Sequence, residues 1–385
     1  MERLSLVEKS PYYWEEEPII EKKQQNKLSN KYRLIDLCCG AGGLSAGFEL
    51  TNLFEVVLGL DIYTSAMETF RHNHPFSSTI LGDIRKITDK MFLDTIGNMQ
   101  VNVVAAGVPC QGFSISNKKR NAYDERNFMF LEVIRLANNV EPDIILIENV
   151  SGMKSTGQGS FVKNIEQALS NVGTGYNVTH GMVNAVDFGV PQYRKRLIFI
   201  GLKKKLNINE FLFPNPTHGN GLPLKHTTVW DAISDLPFIL SGESANEYRS
   251  NPNSKYQELM RERSQGLFNY QAPNHPQATI KRIEQTIPGQ PMYENYKQRI
   301  RLSWDTQSPT QLAGGIRSQF QFGHPEVPRG LTIRERARIQ SFPDDYIFKG
   351  GIVQGRVQTG NAVPPLLAKA IAFQLGQVLT GAGVG

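Results

Sequence analysis

The chain has 385 residues, 40% of them hydrophobic, a net charge of +6 and three cysteines. That length buries a sizeable core and has room for a large and a small domain. The charge admits a polyanionic partner without requiring one, while Cys38, Cys39 and Cys110 offer neither a spaced disulfide framework nor a metal-ligand spacing, which points to a reducing compartment and no metal. Met1-Glu2-Arg3-Leu4 opens no apolar signal region and no run approaches a membrane span, so a cytoplasmic protein is expected.

Residues 1–30, with Glu15-Glu16-Glu17 and Lys22-Lys23, read as a polar extension outside the core. From Tyr32 short apolar runs alternate with amphipathic stretches, the pattern of βαβ units around a parallel sheet. A first strand over 33–37 breaks at Cys38-Cys39-Gly40-Ala41-Gly42-Gly43 before a helix over 44–50, a glycine turn through which a ligand can approach the backbone. It lacks the third glycine of the dinucleotide fingerprint, because Ser45 stands there. A second strand, 54–61, ends on Asp61, either a ribose-binding acid or a cap for the helix over 63–72. A third ends at Gly82-Asp83-Ile84, where a carboxylate suits an exocyclic amine. One glycine turn and two acids at neighbouring strand ends suit a nucleoside-bearing cofactor with no long phosphate tail.

The fourth run, Val101-Asn-Val-Val-Ala-Ala-Gly107, leads through Pro109 to Cys110 at a strand's carboxyl end. A lone cysteine is commonly a small buried hydrophobe, but the polar turn and the nearby Lys118-Lys119-Arg120 favour a thiolate. The polar loop 111–127 has the length of a lid. After a helix over 128–139, a fifth strand places Glu148 behind an apolar run, as a desolvated proton donor or a structural cap for the segment from Ser151 onward. Strands over 176–183 and 197–202 form an antiparallel pair whose joining segment puts Arg194 and Arg196 on one face, as ligands to a phosphate or carbonyl or as a solvated basic turn. Residues 205–328, rich in Pro, Asn, Gln and Tyr with scattered cations, form a smaller loop-rich domain. A hinge over 329–343 holds an amphipathic helix with Thr332 and Glu335 at capping-box spacing, and 344–385 returns to the α/β layer, closing on a helix over 366–378.

Taken together the motifs resemble the cytosine-5 DNA methyltransferases of compact bacterial type, in family order from about Leu34 to the last helix. The resemblance implies a Rossmann-like, S-adenosylmethionine-dependent methyltransferase sheet over 31–204 with a target-recognition domain over 205–328. It assigns the cofactor to Asp36, Cys38, Gly40, Ala41, Gly42, Gly43, Leu44, Asp61, Ile62, Asp83, Ile84, Asn361 and Val363. It assigns catalysis to Cys110 in Pro109-Cys110-Gln111-Gly-Phe-Ser, to Glu148 in Glu148-Asn149-Val150, and to Arg194 and Arg196 in Gln192-Tyr-Arg194-Lys-Arg196. Gln111, Ser114, Lys118, Lys119 and Arg120 would contact DNA. In two places the chain departs from the family: Cys38 stands where an aromatic commonly packs near the cofactor, and Ala106-Gly107-Val108 replaces Gly-Gly-Pro.

The implied reaction is addition of the Cys110 thiolate to carbon 6 of a cytosine flipped out of double-stranded DNA, then methylation at carbon 5. Glu148 would serve ring nitrogen 3 and Arg194 the ring carbonyl. The implied setting is a monomer in the bacterial cytoplasm or nucleoid, paired with a cognate restriction endonuclease. A tRNA cytosine-5 methyltransferase or a silent DNA-binding adaptor shares the scaffold; the long 205–328 region favours DNA, and Cys110, Glu148 and Arg194 favour an active enzyme. An amino-methyltransferase is disfavoured because Pro343-Asp-Asp-Tyr346 is misplaced for that chemistry.

Overall fold

The computed structural model describes residues 17–24, 30–108, 129–150, 160–313 and 320–384. Cys110, Gln111, Ser114, Lys118, Lys119 and Arg120 therefore lie outside the described residues, as does most of the N-terminal extension.

The central strands form because β-branched and aliphatic residues recur on both faces of each run. In chain order they are β1 (Ile19–Glu21), β2 (Tyr32–Leu37), β3 (Phe54–Asp61), β4 (Ser78–Leu81), β5 (Val103–Gly107), β6 (Ile144–Val150), β7 (Tyr176–Asn184) and β8 (Lys195–Lys203). They join in one sheet of order β1-β4-β3-β2-β5-β6-β8-β7. Strands β2 to β6 run parallel, and β8 is antiparallel to both β6 and β7. The order reverses between β2 and β5, and in an open α/β sheet that switch point is where ligands enter, beyond the carboxyl ends.

The extension is not wholly outside the core. Strand β1 adds an antiparallel edge to β4, with Ile19 opposite Leu81, and Glu21 reaches Arg71 at 3.1 Å. A three-residue edge strand gives too short a run for sequence periodicity to show.

Alternation along each central strand divides the core in two. Ile35, Leu37, Val104, Ala106, Ile145 and Ile147 share one cluster with residues of α3 (Asp89–Ile96), α4 (Met129–Val140) and α5 (Ser160–Ser170). Leu34, Val103, Ala105, Ile144 and Leu146 face the opposite way, toward α1 (Gly43–Glu49) and the C-terminal helix α11 (Pro365–Gly381). Helices α1 and α11 approach closely because position 47 is glycine: a Cβ there would lie 2.5 Å from the Pro365 carbonyl oxygen. Helix α2 (Thr64–Asn73) follows β3.

Between Leu206 and Gly330 regular structure among the described residues is sparse, limited to α6 (Val229–Ile233), α7 (Lys255–Arg261), α8 (Gln277–Gln285) and the two-residue pair β9 (Ile300–Arg301) and β10 (Phe322–Gly323). Helix α9 (Ile333–Ile339) carries the expected capping box, Thr332 with Glu335. Its expected amphipathic character is corrected, since every residue from Ile333 to Ile339 is buried. The polar face is inside because its arginines meet carboxylates and carbonyls there.

Helix α10 (Ile352–Asn361), ahead of the expected closing helix, has no counterpart in the sequence reading. The four glycines within 350–360 hide it from propensity, but packing requires them: a Cβ on Gly355 would come within 2.8 Å of the Ile333 side chain. Among the described residues, Ile352–Gly381 is long and apolar enough to cross a membrane, contrary to the reading that no run approaches one. Here it is divided at Ala362–Pro364, and Leu367, Ile371, Leu375 and Leu379 are buried against the sheet.

Candidate active site at the strand ends

The turn after β2 is built by hydrogen bonds that its sequence alone does not reveal. Cys38 adopts φ 59° and Gly40 φ 55°, so the chain doubles back, with Cys39 N–H on the Leu60 carbonyl at 3.0 Å and Gly42 N–H on the Cys39 carbonyl at 2.9 Å. Gly40 N–H donates to Asp61 Oδ2 at 2.7 Å and Tyr63 N–H to Asp61 Oδ1 at 2.8 Å. Asp61 thus shapes the turn from β3. It is not the cap of α2, whose N-cap is Tyr63. Burial pushes the Asp61 carboxyl above the usual carboxylate range, partly offset by these backbone donors.

Beneath the turn, Asp36 is fully buried. Its Oδ2 accepts from Ser45 Oγ at 2.6 Å, while Oδ1 has no partner among the described residues. Burial, opposed by the Ser45 bond, pushes its carboxyl up to about 7. A polar atom left so exposed to an apolar interior costs about 1–3 kcal/mol unless a ligand satisfies it. A Cβ on Gly40 would meet nothing within 4 Å, so the turn faces open space on that side. The orphaned oxygen, the open glycine and the free lone pairs of Asp61 fit a cofactor with an amine and ribose hydroxyls.

The remaining assigned cofactor residues divide. Ala41, Gly42 and Gly43 are buried in the turn itself, Ile62 is half-buried, and Asn361 is exposed at the end of α10. Leu44, Ile84 and Val363 pack into the hydrophobic clusters. Asp83 caps a short helical turn: its Oδ1 accepts from Arg85 N–H at 3.0 Å and its Oδ2 from Arg85 Nη2 at 2.6 Å. Burial opposes ionisation of Asp83, but the Arg85 bonds outweigh it and the carboxyl lies below its usual range.

Sequence reading missed a relay behind this turn. Tyr346 O–H donates to the Ala41 carbonyl at 2.5 Å, His74 Nε2 lies 3.0 Å from the same hydroxyl, and His74 Nδ1 lies 2.8 Å from Glu49 Oε2. Gly42 is required beside it, since at φ 87° a Cβ would lie 2.5 Å from the Tyr346 hydroxyl. Tyr346 is 272 residues from His74, so no local signal connects them.

On the other side of the switch point, β5 ends at Gly107, paired in register with Glu148 of β6. A Cβ on Gly107 would lie 3.7 Å from both the Cys38 carbonyl oxygen and Glu148 Oε2. Three strand ends therefore converge within a few ångströms, and the chain continues from Gly107 toward Cys110. Glu148 is buried, as expected, and its Oε1 lies 2.5 Å from Arg196 Nε. That contact is an ion pair without a formed hydrogen bond from Nε.

Arg194 and Arg196 do share a face, with exposed Lys195 between them, but they differ in use. Arg194 Nη1 donates to the Gln311 carbonyl at 3.0 Å and Nη2 to the Gly360 carbonyl at 2.9 Å, leaving a buried Nε without a partner among the described residues. Burial, with the charges of Arg196 and Arg336 added, pulls its pKa well below that of an ordinary arginine. Gln192, also unassigned by sequence, donates to Gln340 Oε1 at 3.0 Å and accepts from Gln311 N–H at 2.9 Å. These bonds fasten the strand carrying Arg196 to segments more than a hundred residues away.

Of the two described cysteines, Cys39 is buried, and burial raises its thiol well above the usual range, an inert state. No group of three His, Cys, Asp or Glu side chains among the described residues is placed to hold a metal.

An eight-stranded mixed sheet with a glycine turn and acids at the switch point defines the methyltransferase class of α/β fold. A solved E. coli structure, described as that of a prophage-encoded DNA modification methyltransferase, superposes with TM-score 0.76 at 25% identity, covering 91% of this chain and 100% of that one. Dnmt2 methyltransferase of S. pombe shares the fold at TM-score 0.55 and 17% identity, covering 91% of this chain and 99% of that one. The model for the C-5 cytosine-specific DNA methylase family matches residues 32–377, and the chain belongs to that family. Type II methyltransferase M.DdeI of Desulfomicrobium norvegicum is 35% identical, over 89% of this chain and 88% of that protein. M1.HphI of Haemophilus parahaemolyticus is 33% identical, over 88% and 85%. The protein is a DNA (cytosine-5-)-methyltransferase, of a family that uses S-adenosylmethionine.

Proposed function

We propose that this enzyme is the modification half of a type II restriction-modification system, methylating one cytosine within a specific double-stranded DNA sequence through a covalent adduct on Cys110. The convergence of Gly107, the Cys38 carbonyl and Glu148 carries the reading. It brings the strand that leads to Cys110, the glycine turn and a buried carboxyl to one crevice. The relatives named as type II methyltransferases support the biological setting, with a cognate endonuclease as partner and the bacterial cytoplasm as compartment.

Carbon 5 of cytosine is a poor nucleophile, and the ring must first be activated. The Cys110 thiolate adds to carbon 6, forming a C–S bond and pushing the ring electrons toward nitrogen 3, where Glu148 passes on a proton. Arg196, in contact with Glu148, holds that carboxyl against the ring edge and replaces Arg194 as the arginine facing substrate. Arg194 serves as a positioning residue that ties the strand to Gln311 and Gly360. Asp36, the turn 38–43 and Asp61 hold S-adenosylmethionine, with Asn361 and Val363 at its edge. When bound, that cofactor supplies an electrophilic sulfonium methyl, which the enamine's carbon 5 accepts. Loss of the carbon 5 proton then re-forms the double bond and expels Cys110. The base has to leave the helix for this, at about a few kcal/mol, and Gln111, Ser114, Lys118, Lys119 and Arg120 would contact the DNA.

Duplexes carrying 5-fluorocytosine test the route, because fluorine cannot leave as the proton does. A denaturation-resistant adduct is expected with the wild-type protein and none with Cys110→Ala, which still binds the duplex but transfers no methyl. Methylation at wild-type rate by Cys110→Ala would remove the cysteine from the mechanism.

A further inference from the structure

The buried arginines of this fold fall into two kinds. Arg329 and Arg338 are paired: Arg329 Nη2 lies 2.8 Å from Glu335 Oε1, and Arg338 Nε lies 2.6 Å from Asp344 Oδ1. Arg336 and Arg356 are not. Arg336 meets only neutral acceptors, with Nε on Thr359 Oγ1 at 3.0 Å and Nη2 on the Leu312 and Arg356 carbonyls at 3.1 and 3.4 Å. The Arg356 guanidinium makes no hydrogen bond or ion pair among the described residues, although Arg356 is only 8% exposed. The neighbouring carboxylates Glu335 and Asp344 are already engaged by Arg329 and Arg338.

Arg194 and Arg336 clasp the same two pieces of chain, 311–312 and 356–360. A row of cations therefore leads from Glu148 through Arg196, Arg194 and Arg336 to Arg356. Of these, Arg194, Arg336 and Arg356 have no carboxylate partner among the described residues, and bringing cations together in this way carries a cost that an arriving anion offsets. A guanidinium fork matches the paired oxygens of a phosphate.

We infer that Arg356, backed by Arg336, seats one backbone phosphate of the target DNA strand and so registers the duplex against the crevice. The assignment rests on the reading that the substrate is duplex DNA. Burial lowers the pKa of both arginines, Arg336 to about 9, as expected of cations awaiting a partner.

The test uses the full-length enzyme and a short duplex containing the cytosine that the wild type methylates. Arg356→Gln should bind it about 3- to 10-fold more weakly near 0.15 M salt, with the slope of log K against log salt reduced by about one, while Arg356→Lys keeps the slope. Single methylphosphonate linkages around that cytosine should reveal one position that weakens wild-type binding and leaves Arg356→Gln indifferent. If Arg356→Gln does not fold, Arg356→Lys is scanned in its place, with a weakened response at the same linkage expected. An unchanged slope in Arg356→Gln, or equal responses to every linkage in both proteins, overturns the phosphate seat. Wild-type enzyme that neither binds nor methylates any duplex overturns the parent reading instead.

Discussion

The packing around α9 and the crevice at the switch point are equally deep, and they treat buried charge in opposite ways. Around α9 the charges close on one another: Arg338 Nη1 meets Asp235 Oδ1 at 3.1 Å while its Nε meets Asp344, and Arg329 meets Glu335, whose carboxylate also accepts from Tyr270 O–H at 2.8 Å. Opposite charge holds Arg329 and Arg338 above the ordinary arginine range despite burial. In the crevice, Asp36 Oδ1, Arg194 Nε and Gln311 Oε1 are buried with no partner among the described residues. Around Arg329 and Arg338 the charges are met by carboxylates within the chain, and this packing holds shape. The crevice leaves polar atoms open, as the proposed site for cofactor and nucleic acid requires.

Breaking the closed region should have the largest effect. Arg338→Ala leaves Asp235 and Asp344 buried without their cation and is expected to cost about 3–5 kcal/mol, read as a lower denaturation midpoint. A loss below about 1 kcal/mol would mean that the lattice is not what stabilises this end of the molecule.

An open group should behave in reverse. Asp36→Asn removes a carboxylate whose folded-state pKa, about 7, lies above the 3.8 of an unperturbed aspartate. Near pH 3 both states of the wild type are protonated and the group is neutral in its effect. As pH rises from about 4 to 7 the unfolded chain ionises first, so stability falls, and above pH 7 the full cost is present. The cofactor-free variant should therefore match the wild type near pH 3 and exceed it by about 1–3 kcal/mol at pH 8, while binding S-adenosylmethionine more weakly. Thermal melts across that range measure both arms, and a variant less stable than wild type at pH 8 would contradict the assignment.

The relay joins the two regions, and its effect should be smallest. Tyr346→Phe removes the hydroxyl that holds the Ala41 carbonyl, at about 0.5–1.5 kcal/mol. The Michaelis constant for S-adenosylmethionine should rise several-fold with kcat retained, since no reacting atom is touched. A change confined to kcat would place Tyr346 elsewhere in the reaction.

The crevice was legible in outline because its parts are local. Alternating apolar residues mark the strands, and an acid or a glycine turn at a strand's end marks the crevice, where Asp61 and Glu148 lie. Family order then named the chemistry. The lattice around α9 was illegible for a physical reason: Arg334, Arg336 and Arg338 look like a solvated helical face until the carboxylates and carbonyls that accept from them are in place. The difference between Arg194 and Arg196 was hidden in the same way, because a period of two puts both on one face but says nothing of Gln311 and Gly360.

Residue pattern alone thus settled the α/β class and the strand ends, since these depend on neighbours a few positions apart, and the motifs in family order named the reacting groups that are proposed here. Which buried charges are satisfied, which arginine meets Glu148, and which cations still lack an anion were set by folding. Those properties belong to pairs brought together across one to three hundred residues, such as Arg194 with Gly360, 166 positions apart, and His74 with Tyr346, 272 apart.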